Sequence, residues 1–254
     1  MSRYALLASF LLLPACRMFG FLFPAPTPMQ ALRYPASPAG RAPCLLILLP
    51  GGGDDADAFA KAGFVDDLRT RHIGADVEAA AATYGYYAKW TFPERFGGDI
   101  VEPAVAQGYR HLWMVGVSMG GFGAADFATH HSDLFDGVFL LAPYLGEGPV
   151  LEEIRRSGGL RAWTPGAAVG GRDERALWFW LKNAAASADR PALYLGAGQA
   201  DSMHDTHQLL AAALPASRLF HPPGGHDWPV WRRAWADFLD TSDLAARCSP
   251  EKKE

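Results

Sequence analysis

The feature that most constrains this chain is Gly116-Val117-Ser118-Met119-Gly120, a G-x-S-x-G sequence set between an apolar run and a bulk-poor one. Upstream, His111-Leu112-Trp113-Met114-Val115-Gly116-Val117 has the length and apolar character of a buried strand. Downstream, Gly120-Gly121-Phe122-Gly123-Ala124-Ala125-Asp126-Phe127-Ala128 predicts a helix whose first turn is stripped of bulk. A serine on so sharp a strand-to-helix turn projects from the top of a sheet, its hydroxyl exposed and a helix N-terminus beneath it. The flanking glycines are needed because a Cβ there would collide with the neighbouring strand or helix. The bland alternative is a glycine-rich turn with a bystander serine. Partner residues further along, in a suitable order, favour a nucleophile.

Around this junction the chain alternates strands and helices. Cys44 to Leu49 is an all-apolar run ending in Pro50-Gly51-Gly52-Gly53, the pattern of a strand buried on both faces. Asp54 or Asp55 can cap a helix over 56–71, whose Phe59, Phe64, Val65 and Leu68 share a face. A strand over 76–82, an aromatic loop at Tyr84-Gly85-Tyr86-Tyr87 and a helix over 95–107 precede the strand before Ser118. Further strands are expected at 137–142, 191–196 and 217–221, and a last helix at 228–239. Such alternation implies right-handed crossovers and a mostly parallel sheet covered on both faces, here over residues 42–241. A chain of 254 residues, half of them hydrophobic, can bury one large core, and its 27 glycines and 19 prolines supply the turns. With net charge −4, no basic block and no phosphate-binding glycine loop, nothing points to nucleic acid, and no cofactor is expected.

The N-terminus reads as an export signal over residues 1–16. Arg3 supplies positive charge, Tyr4 to Leu13 a short apolar stretch, and Leu13-Pro14-Ala15-Cys16 a small residue before a cysteine. That stretch is too short to span a bilayer as a helix. The cysteine context resembles a bacterial lipoprotein signal, with Pro14 an unusual occupant. A lipidated Cys16 would tether the protein to a membrane face, making it periplasmic or membrane-anchored. Residues 17–41, with Phe23-Pro24-Ala25-Pro26-Thr27-Pro28, read as a linker, and 242–254 as a polar tail. In an oxidising compartment Cys44 and Cys248 could pair, although Cys44 heads an apolar strand, where a buried free thiol is common.

A serine hydroxyl needs a base, a carboxylate to orient the base, and donors for a developing oxyanion. Of eight histidines, His226 stands in Pro223-Gly224-Gly225-His226-Asp227-Trp228, where a glycine pair lets the imidazole swing over the sheet top. Trp228, Trp231, Trp235 and Phe238 recur at helical spacing and should anchor the following helix in the core. His221 falls in the last strand and reads as structural. For the acid, Asp201 follows the strand 191–196 and can reach His226 from beneath; Asp205 is the second candidate. Asp201, His204, Asp205 and His207 also have the spacing of a metal-ligand cluster, for which a polar helix start is the plainer explanation, and no metal is assigned. The oxyanion donors are expected to be the backbone N–H groups of Met119 and Gly52, with Gly53 the alternative to Gly52. Donors of this kind are worth about 3 kcal/mol of barrier each.

Gly116 to Gly121, Gly198-Gln199-Ala200-Asp201 and Gly224-Gly225-His226-Asp227-Trp228-Pro229-Val230-Trp231 together resemble the serine α/β-hydrolases. The last segment is similar to the histidine region of the esterase D and feruloyl-esterase-like branch. The resemblance implies an α/β-hydrolase fold with catalytic Ser118, Asp201 and His226, acting on carboxylic esters or thioesters through an acyl-enzyme. Pro50-Gly51-Gly52-Gly53 is similar to the H-G-G-G loop of lipases with proline in place of histidine. The connection 144–189, with Leu160, Trp163, Trp178, Phe179 and Trp180, is expected to form a small helical cap. Trp163, with Tyr86 and Tyr87 of the aromatic loop, is a candidate pocket wall. The expected partner is a small-molecule ester. An acyltransferase with the same residues, or a non-catalytic surface lipoprotein, are the alternatives.

Overall fold

The computed structural model describes residues 24–36, 42–166 and 174–249; the segment 1–16 with Cys16 lies outside the described residues. Strand β1, Ala31–Tyr34, falls inside the stretch expected to be a linker. It pairs antiparallel with the strand after next, Tyr34 opposite Val77 and Ala31 opposite Ala80. The proline segment before it is also held down: Thr83 Oγ1 donates to the Pro24 carbonyl, Tyr86 hydroxyl to that of Pro26, and Asp99 accepts from Met29 N at 2.7 Å.

Strand β2, Cys44–Leu49, is buried along its whole length. The single helix expected over 56–71 is two, α1 Ala58–Lys61 and α2 Phe64–Thr70. They break at Gly63, whose φ of +86° suits glycine and whose absent side chain leaves room for the Arg232 guanidinium. Arg232 in turn grips Asp67 at 2.9 and 3.0 Å. Neither Asp54 nor Asp55 caps α1; its N-cap is Asp57, whose carboxylate pairs with Lys61 at 2.8 Å and makes no capping bond. After β3, Ala75–Ala80, the aromatic segment is a short helix, α3 Tyr84–Ala88. The helix expected over 95–107 is α4 Phe92–Phe96, a π-helical turn Gly97–Val101 and α5 Glu102–Ala106. Pro103 lacks the N–H a regular ladder needs, and the widened turn accommodates it.

Strand β4, His111–Val117, runs into α6, Met119–His131, through the single residue Ser118. Then follow β5 Gly137–Leu141, α7 Pro149–Arg156, α8 Glu174–Ala186, β6 Ala192–Gly196, α9 His204–Ala211, β7 Leu219–Phe220 and α10 Trp228–Thr241. The seven strands lie in the order β1-β3-β2-β4-β5-β6-β7, all parallel from β3 to β7. The chain leaves β2 toward β3 and returns across it to β4, so strand order reverses between β2 and β4. A crevice opens there at the C-terminal ends of the strands, the place where open α/β sheets put their sites. One sheet face packs Leu45, Ile47, Leu49, Met114 and Leu140, the other Leu46, Leu48, Trp113, Val115 and Phe139. This is the α/β-hydrolase architecture.

Residues 242–249 of the stretch expected to be a polar tail pack on the core. They contain α11, Leu244–Arg247, with Leu244 fully buried, and Cys248 forms a disulfide with Cys44 at the head of β2, Cα atoms 5.4 Å apart. The pairing that the apolar setting of Cys44 argued against is therefore present.

Candidate active site

Ser118 is held in a conformation that few side chains adopt, φ 52° and ψ −114°. Three backbone hydrogen bonds hold it there. Its N–H donates to Leu141 O at 2.9 Å, and its carbonyl accepts from Phe122 N at 3.1 Å and Tyr144 N at 3.0 Å. The turn is as tight as its glycines suggested: a Cβ on Gly116 would stand 2.3 Å from Gly120 O, and one on Gly120 2.1 Å from Leu49 O. The β4 turn is thus pressed against the loop leaving β2.

A second pair of loops supplies the partners. Ala200 N donates to Gly224 O at 2.8 Å and Gln199 N to Pro222 O at 3.1 Å, so the segments after β6 and β7 run side by side. They approach so closely that a Cβ on Gly198 would lie 2.3 Å from Gly224 O. Beyond them, Asp227 caps α10, accepting from Val230 N at 3.0 Å, while Trp231, Trp235 and Phe238 sink into the core. Trp231 meets the His226 ring edge-on at 4.8 Å.

The outcome is a hydrogen-bonded series. Ser118 Oγ lies 3.1 Å from His226 Nε2, and His226 Nδ1 lies 2.8 Å from Asp201 Oδ2. A carboxylate accepts, so Nδ1 carries the proton and Nε2 is free to accept from the serine hydroxyl. Asp201 Oδ1 accepts from Met203 N at 2.9 Å. Burial of Asp201 pushes its carboxyl up, yet hydrogen bonds from His226 and Met203 N and the two nearby imidazoles outweigh it and hold it below its ordinary value. It is ionised at neutral pH, next to a half-buried imidazole and a half-buried hydroxyl. Asp205 is exposed on α9, and the His221 ring turns its Nδ1 to Ala197 O at 3.3 Å. Among the described residues no group of three or more His, Cys, Asp or Glu is arranged to hold a metal.

Met119 is the first residue of α6, so its N–H is among the donors a helix leaves unbonded. Gly52 stands against it, a Cβ there falling 3.5 Å from Met119 Cβ, and a Cβ on Gly51 would fall 3.8 Å from Ser118 Cβ. The turn over Gly51 to Asp54 is tied across to the histidine side by Trp228 Nε1, 3.4 Å from Asp54 Oδ1.

A depression of about 170 Å³ lined by Tyr84, Tyr87, Trp90, Met119 and Phe122 opens beside the nucleophile turn. It shares Tyr87, Trp90 and Phe122 with a larger cleft of about 450 Å³, whose far walls include Phe92, Asp126, Glu174 and Leu177. Tyr87 thus lies where an aromatic wall was expected. Tyr86 and Trp163 do not: both are buried, Tyr86 turning its hydroxyl to Pro26 and Trp163 packing in the core beneath the sheet's helices. Among the described residues, the connection 144–189 reaches the cleft through the start of α8; its residues 167–173 lie outside the described residues. Sequence reading missed Trp90, half exposed with φ +59°, and the place of His207 beneath Asp201. A lone exposed tryptophan carries no periodic signal, whereas the six-residue offset from Asp201 to His207 was visible but spoke only of metal ligation.

A family model named Esterase and described as "Putative esterase" matches residues 57–240. The chain belongs to this esterase family. Among solved structures, an S-formylglutathione hydrolase from Staphylococcus aureus aligns with TM-score 0.56 and 17% identity, over 87% of this chain and 96% of that one. Est1E from Butyrivibrio proteoclasticus with ferulic acid bound aligns with TM-score 0.54 and 14% identity, over 84% and 95%. A monoacylglycerol lipase from Paleococcus ferrophilus aligns with TM-score 0.53 and 14% identity, over 86% and 99%. At such identities these likenesses speak for the fold. No curated protein matches the sequence. Family membership makes this esterase a carboxylic-ester hydrolase.

Proposed function

We propose that the esterase cleaves small to medium carboxylic esters through an acyl-enzyme formed on Ser118. The observation that carries the proposal is the Ser118–His226–Asp201 hydrogen-bond series. Ser118 Oγ attacks the ester carbonyl carbon as its proton passes to His226 Nε2. Asp201 holds the imidazole in the Nδ1–H tautomer and stabilises the imidazolium. The carbonyl oxygen becomes an oxyanion facing the N–H groups of Met119 and Gly52. Collapse of this intermediate breaks the bond to the alcohol oxygen, which takes the proton from His226. Water, deprotonated by the same imidazole, then attacks the acyl carbon; the bond to Ser118 Oγ breaks, the acid leaves, and Oγ takes back the proton from His226. No cofactor enters any step.

The aromatic walls at Tyr87, Trp90 and Phe122 favour esters with an apolar or aromatic acyl or alcohol part. Ser118→Ala and His226→Ala should each abolish the burst from p-nitrophenyl acetate with an unchanged circular dichroism spectrum. Wild-type turnover by Ser118→Ala would remove the proposal.

We further propose, from the sequence of residues 1–16, that the enzyme lies outside the cytosol, tethered through Cys16. The Cys44–Cys248 bond supports it, since disulfides persist mainly in oxidising compartments. Expressed in a bacterium with residues 1–16 intact, the protein should sediment with membranes, and Cys16→Ser should release it or halt processing. Unprocessed protein in the cytosol would count against export.

A further inference from the structure

One buried titratable side chain has no part in the steps above. His207, on α9, is fully buried, and its Nε2 lies 3.0 Å from the carbonyl oxygen of Pro143. A carbonyl only accepts, so Nε2 carries a proton. The other nitrogen, Nδ1, lies 4.0 Å from Asp201 Oδ1 and has no hydrogen-bond partner. Asp201 is therefore flanked by two imidazoles, His226 on Oδ2 and His207 on the side of Oδ1. The Pro143 end matters equally. Pro143 adjoins Tyr144, whose N–H donates to Ser118 O, and a Cβ on Gly121 would stand 2.8 Å from the proline ring. His207 thus bridges the segment that carries the acid and the segment that braces the nucleophile.

We propose that His207 is a positioning residue, which sets the place of Asp201 relative to Ser118 by joining the two loops through its bond to Pro143 O, with Nδ1 beside Oδ1, the carboxylate oxygen that accepts from Met203 N. The inference rests on the triad reading given under Proposed function. The groups whose charge reaches His207 are Asp201, His226 and His204. With Nε2–H fixed, a neutral His207 turns a lone pair toward a carboxylate, and protonation turns the same contact attractive. Burial opposes that proton and holds the imidazole below its ordinary value, while Asp201 pulls the other way. The protonation of His207 and the charge of Asp201 are then coupled.

The test uses two His207 variants of the full chain, with Asp201→Asn and Ser118→Ala as controls. His207→Phe fills the space and removes both nitrogens; His207→Gln keeps an N–H within reach of Pro143 O. On p-nitrophenyl acetate, His207→Phe should lose kcat by about a hundredfold with KM within about twofold, as expected when catalytic groups shift by about 1 Å. His207→Gln should recover most of the loss. A wild-type kcat in folded His207→Phe, or a Gln variant as slow as the Phe variant, overturns the proposal. If His207→Phe does not fold, ¹⁵N NMR of the histidines decides: His207 should take its proton at lower pH in Asp201→Asn than in wild type. Equal titration in the two overturns the coupling and with it the proposal. Turnover that survives Ser118→Ala would sink the triad reading itself, whereas Ser118-dependent turnover indifferent to His207 sinks this inference alone.

Discussion

Removing the Cys44–Cys248 bond should cost stability while sparing the chemistry. The bond closes a loop of 204 residues, so it withdraws from the unfolded chain the freedom of almost the whole domain. The chain-entropy relation puts that at about 5 kcal/mol at 25 °C. This is an upper figure, because Leu244 is buried and α11 would retain some hold on the core without the bond. A loss of about 3–5 kcal/mol is expected, which for a domain of this size lowers Tm by roughly 10 °C. The pair Cys44→Ala/Cys248→Ala is preferable to serine, since both sites are fully buried and a hydroxyl there would lack a partner. Cys44 opens β2 and the Gly52 loop leaves its other end, six residues and about 20 Å away. Accordingly kcat/KM at 25 °C should stay within about twofold. Urea unfolding of wild type with and without dithiothreitol, beside the double variant, measures the difference. A loss under about 1 kcal/mol, or a midpoint indifferent to reductant, would refute the reasoning.

Asp201→Asn should lower kcat by about 10⁴-fold with little change in KM, because the amide favours the wrong imidazole tautomer, while exposed Asp205→Asn should be near neutral in steady-state kinetics. Gly120→Ala should destabilise by about 3 kcal/mol in denaturant titration and lower kcat, since its Cβ would meet Leu49 O at 2.1 Å and Pro50 O at 2.5 Å, both backbone. Stability should fall as pH drops below about 6.5, the ordinary histidine value, toward the lower folded value of His207. In that window the unfolded chain binds a proton the native one refuses, a slope of up to about 1.4 kcal/mol per pH unit, and His207→Gln should flatten it in pH-dependent melting.

What the sequence made legible and what it hid divide along a physical line. Ser118, His226 and Asp201 could be singled out because each sits just past a strand end, marked by glycines that a tight loop demands. The helix after His226 was legible from aromatics at helical spacing. The order and approximate place of the parallel strands followed from apolar runs too short and too β-rich for helices. Hidden were features decided by distant contacts. Ala31–Tyr34 is a strand only because β3 offers an edge, and the break at Gly63 exists because Arg232 occupies the space from far along the chain. Whether Cys44 meets Cys248 depended on where α11 docks. The aromatic wall was half legible: Tyr86 and Tyr87 are adjacent on one short helix and so point apart, and nothing local says which faces the cleft.

The manner in which the site is assembled also bears on why so little sequence need be shared with other proteins of this fold. Three of its joints are contacts of backbone on backbone: Gly116 against Gly120 O, Gly120 against Leu49 O, Gly198 against Gly224 O. Each needs the absence of a side chain, and none needs a particular neighbour. The strands behind them need only apolar residues on both faces, a demand that many sequences satisfy. A protein keeping such glycines, three hydrogen-bonding side chains and the strand order could therefore keep this geometry with most of its other residues changed, and the solved structures share the fold at 14–17% identity. Cleft walls such as Trp90 and Phe122 stand outside those joints. They can change without moving Ser118, and differences in ester preference should be sought there first.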